Sequence, residues 1–219
     1  MCGRFSLITD IQALLKRFEI SHTNLLWAPR YNIAPTQNAL VITSNKQRSL
    51  QEARWSLVPH WSKTPATKPL LINARAETLW EKPTFKGLLS TKRCLVPADG
   101  FYEWIKTPAS KIPMRISLKS RNLFSFAGLW DEWQQGDELL HTFTIITTQA
   151  NPALQPIHER MPVILTKEHE DLWLDPSIQS RTELEQALIP YPLADLQAYQ
   201  VSQVVNSSKT DSPECIKPV

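Results

Sequence analysis

Glycine is almost missing from this chain. Five glycines stand among 219 residues, at Gly3, Gly87, Gly100, Gly128 and Gly136, beside seventeen prolines. An average protein is roughly 7% glycine and 5% proline. Glycine supplies the left-handed turns and close backbone approaches that phosphate-cradling loops need. Neither GxGxxG nor GxxxxGK[ST] occurs, so dinucleotide-binding and P-loop folds are set aside. The scarcity also makes each glycine informative. Gly136, in Gln135-Gly136-Asp137 between two strand-like runs, reads as a turn position with positive φ.

Hydrophobic residues make up 42% of the chain and charged residues 21%, a balance that lets a chain of this length bury a sizeable core. No linker, repeat, low-complexity run or charge block divides it, so one domain over 1–219 is expected. No apolar stretch of about 18 residues is present, and MCGRFSLITD lacks an apolar signal region, so neither a membrane span nor a secretion signal is expected. Three cysteines, Cys2, Cys94 and Cys215, have no CxxC spacing. That argues against a disulfide framework or zinc site and for a cytoplasmic protein, with Cys94 and Cys215 as buried apolar residues. His22, His60, His141 and His169 do not pair at ligand spacing, so no metal is assigned. Charge is uneven: residues 1–150 hold 19 Lys and Arg against 11 Asp and Glu, a net of +8, while 151–219 hold 5 against 10, a net of −5. A basic body is compatible with an anionic partner such as nucleic acid, or with a chance surface imbalance.

Periodicity indicates an α+β chain rich in short strands. Thr9 can cap a helix over residues 10–19, where Ile11, Leu14, Leu15 and Phe18 share a face. Residues 21–37 read as loop. Strands are expected at 39–43, 49–57, 93–96 (ended by Pro97), 114–118 and 161–165, with a hairpin of 123–133 and 139–148 around Gly136. Residues 58–69 read as an ordered proline-rich loop. Thr166 caps a helix over 167–174, Thr182-Glu183-Leu184-Glu185 opens a second, and Pro192 a third.

Chemistry is suggested first by Cys2. The initiator methionine is normally removed before a small residue, leaving an α-amine beside a thiol. The amine titrates at roughly 7.7–8.0 and the thiol at about 8.5. Such an aminothiol condenses with an aldehyde and closes a five-membered thiazolidine ring; the plainer reading is that cysteine stands second by chance, and with Met1 retained the amine is tied up in a peptide bond and no ring forms. Asn73 and Arg75 follow an apolar run in LLINARAET, Glu103 lies between Tyr102 and Trp104, and His158 and Arg160 lie in IHERMP. A carboxylate in apolar company has a raised pKa suited to proton transfer. Taken singly, each has a plainer reading: an exposed strand position for Glu103, a backbone-satisfied loop histidine for His158, ion pairs for the arginines, a turn former for Asn73. Aromatic and proline residues beside arginine, in RYNIAPT and WSLVPHW, suit either core packing or single-stranded nucleic acid.

Seven segments, MCGRF, RYNIAPTQ, RWSLVPHW, LINARAET, CLVPADGFYEW, IHERMPVIL and VNSSKTDSPECIKPV, in this order and nearly end to end, resemble the SOS response-associated peptidase (SRAP) family. The resemblance implies a single SRAP-type domain, with mixed and antiparallel sheets forming a barrel-like core and helices at the margin. It implies an abasic-site sensor that binds single-stranded DNA and forms a thiazolidine crosslink between Cys2 and the ring-opened aldehyde, with lyase and reversal activities. Cys2 would be the nucleophile, Asn73 would hold the terminus and the sugar, Glu103 would shuttle protons, and His158 would bind the opened sugar and act as acid and base. Arg4, Arg75 and Arg160 would bind phosphates, Pro35 and Trp61 would pack against bases, and Thr147 would contact the DNA backbone. No cofactor and no membrane are implied; a monomer, nucleoid-associated when bound to DNA, is expected. Gly3 and Gly100 then read as turns serving Cys2 and Glu103. Two alternatives stay open: a thiol peptidase using Cys2, His158 and Asn73, with removal of its own Met1 as its narrowest form, and a non-covalent single-strand binding module.

Overall fold

The computed structural model describes residues 2–45, 47–65 and 68–219. Its regular elements, in chain order, are β1 (Phe5–Leu7), α1 (Ile11–Arg17), β2 (Arg30–Ile33), β3 (Asn38–Asn45), β4 (Gln47–Trp55), β5 (Asn73–Arg75), α2 (Pro83–Lys86), β6 (Arg93–Ala98), β7 (Gly100–Lys106), β8 (Lys111–Leu118), β9 (Phe124–Gln135), β10 (Glu138–Gln149), β11 (Arg160–Pro162), β12 (Ile164–Leu165), α3 (Lys167–Leu174), α4 (Arg181–Gln186) and β13 (Leu196–Gln200). Two hairpins, β3–β4 and β9–β10, set the architecture. β4 pairs with β10 in parallel, and β6 bridges β9 to β3. The ring β3–β4–β10–β9–β6 therefore closes on itself as a five-stranded barrel, which removes the exposed edges of an open sheet. A second, antiparallel sheet runs in the order β13–β8–β7–β1–β2.

The two layers meet through aromatic side chains. Phe5 of β1 lies edge-on to Trp55 at 5.2 Å and to Phe126 at 5.9 Å, Phe101 of β7 lies edge-on to Phe126 at 5.9 Å, and Trp55 stacks on Phe143. All five rings are fully buried, worth about 1.5–3 kcal/mol each in transfer free energy. The opposite face of the second sheet is covered too. There Tyr102, with Trp104 and Tyr199 at its margin, packs under Val201, Val205 and Cys215 of the C-terminal segment. A strand buried on both faces shows no alternation; hence β7 escapes the period-2 search, and so do the three-residue strands β1 and β5.

The expected α+β class with a barrel-like core is what the chain adopts. α3 spans the expected residues, with the Thr166 hydroxyl accepting from the His169 amide. The hairpin forms around Gly136, at φ 57°. Six details differ. α1 is capped by Asp10, whose carboxylate accepts from the Gln12 and Ala13 amides, and not by Thr9. Ser180, not Thr182, caps α4. β2 lies inside the span expected to be loop, and residues 193–195 after Pro192 form a single 3₁₀ turn. Pro97 does not end β6. Beyond Leu95 that strand is paired only with β9, and a one-sided strand can carry a residue without an N–H. Gly100 is no turn: it opens β7. A Cβ there would come within 2.6 Å of the Arg115 guanidinium, so its role is close approach.

Candidate active site

Cys2 lies three residues before the start of β1. The pairing of Phe5 with Phe101 and Ser6 with Gly100, extended by the Tyr102 amide donating to the Arg4 carbonyl at 2.9 Å, carries β7 back along the first residues. Glu103 is thereby delivered beside Cys2. The Cys2 side chain is fully buried, with Sγ 3.7 Å from the Arg4 carbonyl. Burial pushes its thiol far above the usual range, and the Glu103 charge adds to that. Glu103 is 5% exposed. Burial raises its pKa as well, opposed in part by His158 nearby.

Asn73 arrives from the barrel. β10 changes partner along its length: Thr142 and Phe143 pair with β4, while Ile145 to Thr147 pair with β5. Residues 56–72 lie between those two strands, and the Trp55 indole pins their far end by donating to the Ile72 carbonyl at 2.9 Å. Asn73 Nδ2 then donates to the Cys2 carbonyl at 2.8 Å. Its Oδ1 is buried and has no hydrogen-bond partner among the described residues.

His158 closes a turn after β10. Asn151 Oδ1 accepts from the Leu154 amide at 3.1 Å, and the His158 amide donates to the Leu154 carbonyl at 2.9 Å. His158 Nδ1 accepts from the Arg160 amide at 3.0 Å, so the neutral ring carries its proton on Nε2. Four segments far apart in sequence thus bring together Cys2, Asn73, Glu103 and His158.

The expected DNA-contacting residues separate into groups. Exposed Arg75 and partly buried Arg160 line one groove of about 520 Å³ with Gln149, Gln155 and Glu159. Thr147 sits beneath it, fully buried, its hydroxyl 3.4 Å from the Ala74 carbonyl. Arg160 donates to both carboxylate oxygens of Glu77, at 2.7 and 2.9 Å, and to the Thr147 carbonyl at 2.6 Å. Arg4 turns to the other face, where it donates to Asn32 Oδ1 and the Val205 carbonyl, both at 2.7 Å. Pro35 occupies a turn in which the Gln37 amide donates to the Ala34 carbonyl, with Thr36 at φ 72°. Trp61 is 62% exposed on the loop after β4. Sequence reasoning passed over Glu77, although it lies inside the LINARAET segment, and Asn32 and Asp211, whose bonds join distant segments and leave no local signal.

A family model described as SOS response associated peptidase (SRAP) matches residues 1–208. The chain belongs to that family. It is 47% identical over 222 residues to the abasic site processing protein YoqW of Bacillus subtilis, covering 99% of both chains. It is 32% identical over 228 residues to the abasic site processing protein HMCES of Gallus gallus, covering 88% of this chain and 67% of that one. A crystal structure of a protein from Bacteroides thetaiotaomicron matches over the whole of both chains with a TM-score of 0.90 at 30% identity. Within this SRAP domain the cluster offers a thiol, a buried carboxyl of raised pKa, an imidazole and an amide. Met1, whose removal would free the Cys2 amine, lies outside the described residues. Among the described residues no group of three His, Cys, Asp or Glu could hold a metal ion, and no helix is long and apolar enough to cross a membrane.

Proposed function

We propose that this protein processes abasic sites in single-stranded DNA by covalent capture. The observation that carries the reading is the convergence of Asn73, Glu103 and His158 on Cys2. Once Met1 is gone, the Cys2 amine adds to the C1′ aldehyde of the ring-opened sugar. The carbinolamine loses water to give an iminium, and the thiol adds to the same carbon as it gives up its proton. The net change is a thiazolidine and one water. A thiol held neutral by burial suits this order, amine first and sulfur second. Glu103, its carboxyl raised by burial, supplies the proton that expels water and takes one back when sulfur adds. His158 Nε2–H and Asn73 Oδ1 offer a donor and an acceptor for the sugar oxygens. Arg75 and Arg160 provide the cationic groove for the flanking phosphates. The iminium also permits β-elimination, hence lyase activity, and ring opening reverses the crosslink.

The geometry favours capture over the peptidase alternative. In a Cys–His–Asn peptidase the amide orients the imidazole and the thiol pKa is lowered. Here Asn73 binds the Cys2 carbonyl, and burial drives the thiol the other way. The test incubates purified protein with a single-stranded oligonucleotide carrying one abasic site and resolves the products on a denaturing gel. A stable shifted band is expected, absent for Cys2→Ala and not persisting for Cys2→Ser, whose oxazolidine reopens. Intact mass establishes loss of Met1. A band of equal yield with Cys2→Ala refutes the reading, whereas cleavage of an unrelated peptide that is lost in His158→Ala supports the peptidase.

A further inference from the structure

Glu77 has no part in the chemistry above, yet it occupies the guanidinium assigned to phosphate. It sits in the 3₁₀ turn of residues 76–78, directly after β5 and two residues from Arg75. Its two carboxylate oxygens meet Arg160 in the paired geometry in which arginine grips a phosphate. The partners are unequally fixed. The Arg160 side chain is 11% exposed and is also anchored to the Thr147 carbonyl and hydroxyl, at 2.6 and 3.3 Å. The Glu77 side chain is 44% exposed; Arg160 is its main partner, with its own backbone amide and the Arg75 charge adding to the hold. Breaking the ion pair therefore leaves the guanidinium seated and sets the carboxylate free in solvent.

We propose that Glu77 is a built-in competitor for the DNA backbone: it holds Arg160 ready for a phosphate, must be displaced when a strand enters the groove, and thereby limits affinity for undamaged strands. The proposal rests on the phosphate-binding assignment of Arg75 and Arg160. A physical consequence follows for salt. A phosphate taken up by a free arginine releases a condensed counterion, whereas one that displaces Glu77 leaves a new bare carboxylate that recruits a cation. Arg160 then contributes almost nothing to the salt slope of the native protein. Covalent capture compensates for a weak initial grip, because only a strand with an aldehyde is retained.

The experiment measures binding of a fluorescent, undamaged single-stranded oligonucleotide by anisotropy from 50 to 300 mM salt. Variants are Glu77→Gln, Glu77→Ala, Arg75→Ala and Arg160→Ala, each checked for folding by its melting curve. Both Glu77 variants are expected to bind about two- to fivefold tighter and to steepen the slope of log K against log salt by roughly 0.7. Weaker or unchanged binding with Glu77→Gln, alongside weaker binding in both arginine variants, overturns the competitor role and makes Glu77 a tether. Unchanged binding in both arginine variants overturns the groove assignment itself, and the proposal with it; the abasic crosslink assay then still reports separately on Cys2.

Discussion

Glu103 is placed where charge is costly and where the proposed chemistry calls for a proton donor. Its carboxyl is raised by burial, so the protonated form is favoured more in the folded chain than in the unfolded one. That contribution to stability is complete at acid pH and is lost as pH rises through the folded value. Glu103→Gln, neutral at all pH, is therefore expected to melt higher than the native protein at pH 8 and to lose that advantage near pH 4, while crosslinking slows and loses its acid limb. Calorimetry over a pH series and timed gels check both. Gly100 shows the opposite logic. Arg115 is tied over it by bonds to Asp99, Ser6 and Tyr199 at 2.9–3.2 Å, so the guanidinium cannot swing aside for a methyl group. Gly100→Ala is expected to cost about 1–3 kcal/mol, read as a fall in melting temperature of roughly 2–4 °C per kcal/mol.

Among elements, the turn over residues 151–158 is the one that brings His158 to the Cys2 cluster. Asn151 caps it through Leu154 and also donates to the Tyr191 carbonyl at 2.9 Å. Asn151→Ala is expected to slow crosslinking on the order of 10- to 100-fold by misplacing His158, with a smaller effect on melting; single-turnover gels against the melting curve separate the two. Elements with a local signal were legible in the sequence: α3 from its cap and first-turn acids, the β9–β10 hairpin from alternation about Gly136. The carriers of the site were not. β5 exists because β10 needs a partner beyond Phe143, and β7 because both its faces are covered; neither reason is written in neighbouring residues. Cys2, Asn73, Glu103 and His158 were picked out by their unusual company and by family resemblance. Arg4 shows the limit of that approach, for its charge was legible and its partners, 28 and 201 residues away, were not.

Across the whole molecule, the C-terminal segment behaves as a strap. Asp211 accepts from the amides of Tyr31 at 2.6 Å and Asn32 at 3.1 Å, and from the Arg30 guanidinium. Asn32 Nδ2 in turn donates to the carbonyls of Val205, Ser207 and Thr210. Asp211→Ala removes the acceptor of three donors, of which only the Asn32 amide is partly buried, at about 1–3 kcal/mol in all. It is expected to lower both melting temperature and crosslink yield. Removing residues 202–219 uncovers Tyr102 and the face around it, and is expected to give an aggregating chain, seen as early elution on a sizing column.

The strap also fixes an order of events. Arg4, two residues from Cys2, donates to the backbone carbonyls of Val205 and Asn206, and β2, which flanks β1, is held by Asp211. On the ribosome Arg4 therefore emerges long before the carbonyls that bind it, 201 residues further on in the case of Val205. A chain still short of Val205 already holds Asn73, Glu103 and His158 but lacks the carbonyls that bind Arg4, so the segment leading into β1 is tied down only when the last stretch of the chain has joined it.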